Sequence, residues 1–158
     1  MRKEAKGKRI SLNTLASHIF DFYVSFIVGA SKAGAVPVDK LTLMTLLESH
    51  SEEQLKAMAQ HIVRKTGVDS TLQLQGRYDF EALIDSQESW LRATGFPYRH
   101  NIDAEKNNRH TFIIQHNMGR KYSVFAVEGF KTYFEPLVAK KVEYSITDNI
   151  IAITVEGK

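Results

Sequence analysis

The residues best equipped for chemistry near the start of the chain are Arg9, Ser11 and Asn13, which alternate with Ile10 and Leu12. In an extended backbone the three polar side chains share one face and the two apolar ones share the other. Their donors and acceptors suit base edges: a guanidinium meets guanine bidentately, a carboxamide meets adenine, and a hydroxyl meets either. Lys3, Lys6 and Lys8 precede them, and flexible cations of this kind suit phosphate contacts. The charge distribution matches. Residues 1–13 hold five basic side chains and one acid, Glu4, a balance of +4, whereas the other 145 residues hold 16 basic and 17 acidic groups, a balance of −1. A basic arm on a near-neutral body is the pattern of a polyanion binder, because phosphate neutralisation supplies most sequence-independent affinity. A solvated basic tail is the plainer reading of the same charges.

The six histidines raise the question of a metal site. His110 and His116 share one face of a predicted strand, but six residues at about 3.3 Å each set them about 20 Å apart, too far to share an ion. At most one of them joins His100 on the neighbouring strand, and His18, His50 and His61 fall in helical segments at no ligand spacing. No metal site and no cofactor is expected, and all six read as surface or hydrogen-bonded histidines. The run Asn117-Met118-Gly119-Arg120-Lys121 joins a predicted strand to a helix, so its amides, with His116, Arg120 and Lys121, form a possible anion or ligand site. A plain helix cap is the simpler alternative. No Ser/His/Asp order, paired-carboxylate motif, Gly-rich nucleotide loop or His-Glu-x-x-His pattern occurs, so no catalytic residues are assigned and no enzymatic activity is expected. The absence of cysteine excludes a disulfide framework, thiol nucleophiles and thiolate-held metals.

The elements that must position these groups follow from periodicity. Residues 9–13 read as a strand, and Asn13 or Thr14 can cap a helix from Leu15 to about Val28, with Gly29 and Gly34 available to end it. That helix is apolar around most of its circumference, through Leu15, Ile19, Phe22, Tyr23, Phe26 and Ile27 with Phe20, Val24 and Val28, so a partner chain is expected to cover it. A loop with Gly34 and Pro37 leads to a helix over 41–49. Ser51 with Gln54 predicts a capping box opening a third helix that ends near Gly67. Residues 68–76 suit a short strand or a helical turn equally.

The remainder reads as helix (79–94), hairpin (strands 98–103 and 109–116 about a tip at Lys106-Asn107-Asn108), helix (119–138, with Pro136 disturbing its last turn) and hairpin (142–146 and 151–155 about Asp148-Asn149). Asp148-Asn149 tolerates positive φ, and the apolar parity switches across it as in a tight turn. The fold class is therefore α+β: an N-terminal module over 1–50, a connecting helix and linker over 51–76, and a sensor or oligomerisation domain over 77–158 with a four-stranded, mainly antiparallel sheet under two helices.

Lys8-Arg9-Ile10-Ser11-Leu12-Asn13 and the two helices after it, roughly residues 6–50, resemble the ribbon-helix-helix regulators of the Arc, MetJ and CopG type. In that family two chains pair their strands, lay the ribbon in the major groove and intertwine their helices. The resemblance implies that Arg9, Ser11 and Asn13 read bases, that Ile10 and Leu12 face the dimer core, and that the partners are double-stranded DNA and a second copy. The first helix is longer than the family's usual one, and the second lacks a Ser-Arg-Ser-like start. The expectation is a DNA-binding transcriptional regulator acting as a dimer or higher oligomer. A protein–protein interaction module without nucleic acid and a small ligand-binding protein are the alternatives. The longest apolar stretch, 22–29, is far short of the ~20 residues of a membrane span, and the basic start precedes no cleavable apolar core, so a cytoplasmic location without membrane contact is expected.

Overall fold

A computed structural model describes residues 1–32, 34–103 and 108–158. The fold is α+β, with helices leading and a four-stranded antiparallel sheet towards the C-terminus. Among the described residues the helices are α1 (Arg2–Gly7), α2 (Leu12–Phe22), α3 (Val28–Lys32), α4 (Lys40–Glu48), α5 (Glu52–Gln75), α6 (Phe80–Thr94) and α7 (Gly119–Phe134). The strands are β1 (Tyr98–Asp103), β2 (Arg109–Gln115), β3 (Glu143–Ile146) and β4 (Ile150–Glu156), in the spatial order β1-β2-β4-β3. No described helix is long and apolar enough to cross a membrane.

The sheet and its helices follow the sequence pattern. Phe112 and Ile114 of β2 and Ile151, Ile153 and Val155 of β4 are buried on one face. Leu83, Ile84 and Leu91 of α6 and Val127 and Phe134 of α7 close the same core. Asp79 caps α6 by accepting from the Ala82 N–H, and Gly95 ends it in the left-handed conformation that glycine adopts without steric cost. The capping box of Ser51 and Gln54 forms in both directions. In the second hairpin Thr147 makes the turn: its hydroxyl accepts from the N–H groups of Asn149 and Ile150. Neither Asp148 nor Asn149 adopts the positive φ expected of the pair.

Several boundaries differ, each for a local reason. Residues 9–13 are not a strand. α1 ends with Arg9 at φ 55, Arg9 N–H bonded to Lys6 O (3.2 Å) and Ile10 N–H to Ala5 O (3.1 Å), a Schellman pattern. Ser11 then accepts from Thr14 N–H at 3.0 Å and caps α2. A lone strand would leave its backbone groups without a ladder in this chain, whereas two abutting caps satisfy them. Ser11, not Asn13 or Thr14, is thus the cap. The apolar helix does not stop near Val28: it passes through a π-helical turn, Tyr23–Ile27, into α3, and Gly34 (φ 78) follows. Gly29 lies inside α3 where an ideal Cβ would stand 2.9 Å from Leu74, so it permits a close crossing over α5. α5 likewise runs through Gly67 to Gln75, which makes 68–75 helical, and ends at Gly76 (φ 70). Gly67 faces Tyr133 of α7, whose ring would lie 3.4 Å from a Cβ there. α7 stops at Phe134, ahead of Pro136, rather than reaching 138. Asn108, at the hairpin tip, has φ 56; Lys106 and Asn107 lie outside the described residues.

Candidate functional site

The six residues expected to meet DNA cluster at the N-terminus but do not form one reading face. Lys3 and Lys6 project from α1, Lys8 and Arg9 close it, Ser11 is engaged as a cap, and Asn13 lies in the first turn of α2; all six are exposed. Lys8 pairs with Glu4 at 3.2 Å, while Arg2, Lys3, Lys6 and Arg9 have no ion-pair partner among the described residues. Ile10 is half-buried, but Leu12 is exposed rather than set in a core. Beyond this cluster α2 and the π-helical turn leave Ile19, Phe20, Phe22, Tyr23 and Val24 in solvent, with Phe20 at 68% and Val24 at 70% exposure.

The loop from His116 to Lys121 is used internally. His116, 1% exposed, accepts the Met118 N–H at Nδ1 (3.0 Å), which leaves its proton on Nε2 for the Ser123 hydroxyl (2.9 Å); Ser123 in turn donates to Thr147 O (2.6 Å). Burial pushes the His116 ring down to about 4, so it is neutral under ordinary conditions. Arg120 faces Glu52 at 3.5 Å and Lys121 faces Glu48 at 3.4 Å. The two cations therefore tie α7 to α4 and α5 instead of converging with His116 on an anion. Asn117 (φ 55) and Gly119 (φ 80) bend the chain into α7.

Two arrangements were not assigned from the sequence. An apolar cleft of about 350 Å³ lies between α5, α6 and α7, walled by Trp90, Tyr122, Phe125, Phe130 and Tyr133. A smaller chamber of about 170 Å³ shares Trp90 and Tyr122 and reaches Ile114 and Ile151 of the sheet. Burial pushes the Tyr122 hydroxyl up to about 12, so it stays protonated. The Tyr133 hydroxyl is bonded to Thr71 (2.6 Å), and Phe26 sets its ring edge-on to Trp90 at 5.0 Å, bringing the N-terminal helices to the cleft's rim. Aromatic residues at helical spacing read first as core, and nothing in their spacing marks a cleft.

The second arrangement joins α6 to the first hairpin. His100 Nδ1 lies 2.7 Å from Glu88 Oε1, His100 Nε2 lies 2.9 Å from His110 Nδ1, and His110 Nε2 lies 2.9 Å from Asn108 Oδ1. The Asn108 amide donates to Glu81 at 2.6 Å. The antiparallel register that sets Ile102 opposite His110 and His100 opposite Phe112 puts both rings on the core face, with His100 stacked on Phe112 at 4.2 Å. The parity of His100 and His110 with Phe112 and Ile114 was the available signal. Among the described residues no group of three or more potential ligands is arranged to hold a metal ion.

No protein-family model, curated protein or solved structure matches the chain.

Proposed function

We propose that the chain is a sequence-specific DNA-binding transcriptional regulator that acts as a homodimer, with its basic N-terminal arm as the contact with the duplex. The observation that carries this reading is the cluster of exposed cations over residues 2–9, four without an ion-pair partner among the described residues, on a chain otherwise balanced at −1. Free cations neutralise phosphates and release counterions, the dominant source of affinity for any duplex. The apolar face of Ile19, Phe20, Tyr23 and Val24 supports the dimer, since burying each large side chain contributes about 1.5–3 kcal/mol. A ribbon would require residues 9–13 to leave the turn and cap they form here and pair with the same residues of a second copy. The charge argument holds with or without that exchange.

Fluorescence anisotropy with random-sequence duplex DNA at about 50 and about 200 mM salt tests the proposal, because phosphate binding falls steeply over that range. Affinity should drop linearly on a log–log plot, and Lys3→Ala and Lys6→Ala should each lower the slope by about one. Arg9→Ala should weaken a preferred site by about 1–3 kcal/mol and relax it at one position. No binding at the lower salt, or binding indifferent to these variants, overturns the reading.

The aromatic cleft favours a second reading, a small-ligand protein, because concave apolar sites of about 300–1,000 Å³ with few polar groups are the usual form of such sites. Binding of a hydrophobic dye that is lost on Trp90→Ala, together with no affinity for DNA, selects it.

A further inference from the structure

The contacts of His100 and His110 can be counted in protons. Four ring nitrogens make three contacts: one to Glu88, one between the rings, and one to Asn108. Both ends accept. Glu88 presents a carboxylate, and Asn108 presents Oδ1 because its amide nitrogen is committed to Glu81. Each end therefore needs an N–H, and the middle contact needs a third. Two neutral imidazoles carry only two. With two, either an end goes unbonded or two lone pairs face each other at 2.9 Å beside a ring, His110, that is 2% exposed. One added proton completes the chain. Placing it on Glu88 leaves the count unchanged, but there burial, which raises the carboxyl, is outweighed by hydrogen bonds from His100 and Arg92 that hold it below the usual range.

We infer that His100 and His110 form a binding site for a single shared proton at neutral pH, carried between Glu88 and Glu81, and that this proton clasps the edge strand β1 to α6. The proton sits on His100 Nε2 or His110 Nδ1, and either placement satisfies all three contacts. The charge is screened from water by Phe112 under His100 and by Phe80 edge-on to His110. Among the described residues the charged groups around the pair are few, and on β1 itself Asp103 stands opposite Arg109. From α6 they are Glu81 and Glu88, with Arg92 bonded to Glu88; from β2, Arg109 turns to Glu143; from β4, Val155 stands opposite His110, and Glu156 beyond it pairs with Lys140. A second proton would set N–H against N–H across 2.9 Å. Burial and the charge of His100 accordingly push His110 down.

Long-range proton–nitrogen spectra of the full chain, labelled at histidine, read this directly. At about pH 7 the pair should show three ring N–H groups, as one imidazolium and one neutral ring that carries Nε2–H if it is His110 and Nδ1–H if it is His100. On acidification to about pH 5 the pair should take up no second proton. Two neutral rings at about pH 7, or two imidazoliums by about pH 5, overturn the inference. Glu88→Gln keeps the acceptor and the shape but removes the counter-charge, and should lower the pH at which the pair loses its proton by about one unit or more. An unchanged value counts against the site. In the unmodified protein, amide-exchange protection of β1 should fall about tenfold as the shared proton leaves. Protection indifferent to the proton overturns the clasp.

Discussion

The helical arm of residues 2–48 and the body of residues 52–156 solve the problem of apolar surface in opposite ways. Every residue of the continuous buried cluster, from Leu83 to Val155, lies in the body, where two amphipathic helices and one sheet face close on each other. The arm buries Ala5, Leu15, Phe26, Ala30 and Leu47 outside that cluster, with Phe26 edge-on to Trp90 of α6, and leaves five large side chains between Ile19 and Val24 exposed. The body thus closes its core within one chain, with Leu43 and Met44 of α4 packed against it. The arm has the composition of a core without the geometry of one, the feature on which the proposed homodimer depends.

The largest effects should separate the two regions. Phe112→Ala empties a fully buried position in the body and should destabilise it by about 3–5 kcal/mol in urea unfolding. Phe20→Ala, in the arm, should change unfolding of the dilute protein by less than about 0.5 kcal/mol while weakening self-association in sedimentation. A Phe20 variant as damaging as the Phe112 one would show that the arm belongs to the same core.

The body should also be the acid-labile half. The folded His116 ring lies at about 4, below the ordinary 6.5, so the unfolded chain takes up the proton first as pH falls. Its contribution is complete above about pH 6.5 and is lost on the way down to about 4, on the order of 3 kcal/mol over the whole span. His116→Gln, which can still accept from Met118 and donate to Ser123, should flatten that part of the stability–pH curve. A slope of the same size in the variant would place the acid sensitivity elsewhere.

The same division governs what could be read in advance. In the body the two hairpins, the capping box and the Asp79 and Gly95 caps follow from local signals that tertiary packing reinforces. In the arm local signals conflict. Arg-Ile-Ser-Leu-Asn alternates like a strand, yet Ser11 followed by Thr14 is also a helix start, and within one chain the cap satisfies more backbone groups than an unpaired strand. Gly67 and Gly29 were read as stops because glycine often ends helices; here they admit Tyr133 and Leu74, a role that depends on a neighbour distant in sequence. The His100–His110 contact was visible as shared parity, but its proton count depends on Glu88, Asn108 and Glu81, which only the register brings together.

A smaller effect tests how the arm is fastened. Gly29→Ala places a methyl group 2.9 Å from Leu74 and 3.0 Å from Gln73 O, and backbone yields poorly, so the crossing of α3 over α5 should loosen by about 1–3 kcal/mol. Amide exchange in α3 should rise while the urea midpoint of the body stays in place. A shift of both together would make arm and body one cooperative unit.

The smallest expected effects fall at residues 9–11 and sharpen the comparison most, because they set helix capping against base reading in the same side chains. Ser11→Ala removes the acceptor for Thr14 N–H and should destabilise α2 by about 1 kcal/mol, seen as faster exchange of the Thr14 amide. Arg9→Gly should act in the other direction on structure. It relieves a non-glycine residue at φ 55 and should stabilise the turn by about 0.5–1 kcal/mol, while removing a cation from the arm. Stability and DNA affinity are therefore expected to move in opposite directions in the Arg9 variant. If instead Arg9→Gly loosens α1 and α2 and Ser11→Ala leaves Thr14 exchange unchanged, the turn and cap are not the resting state of the arm. Residues 9–13 would then be extended in solution, as a ribbon shared with a second copy requires.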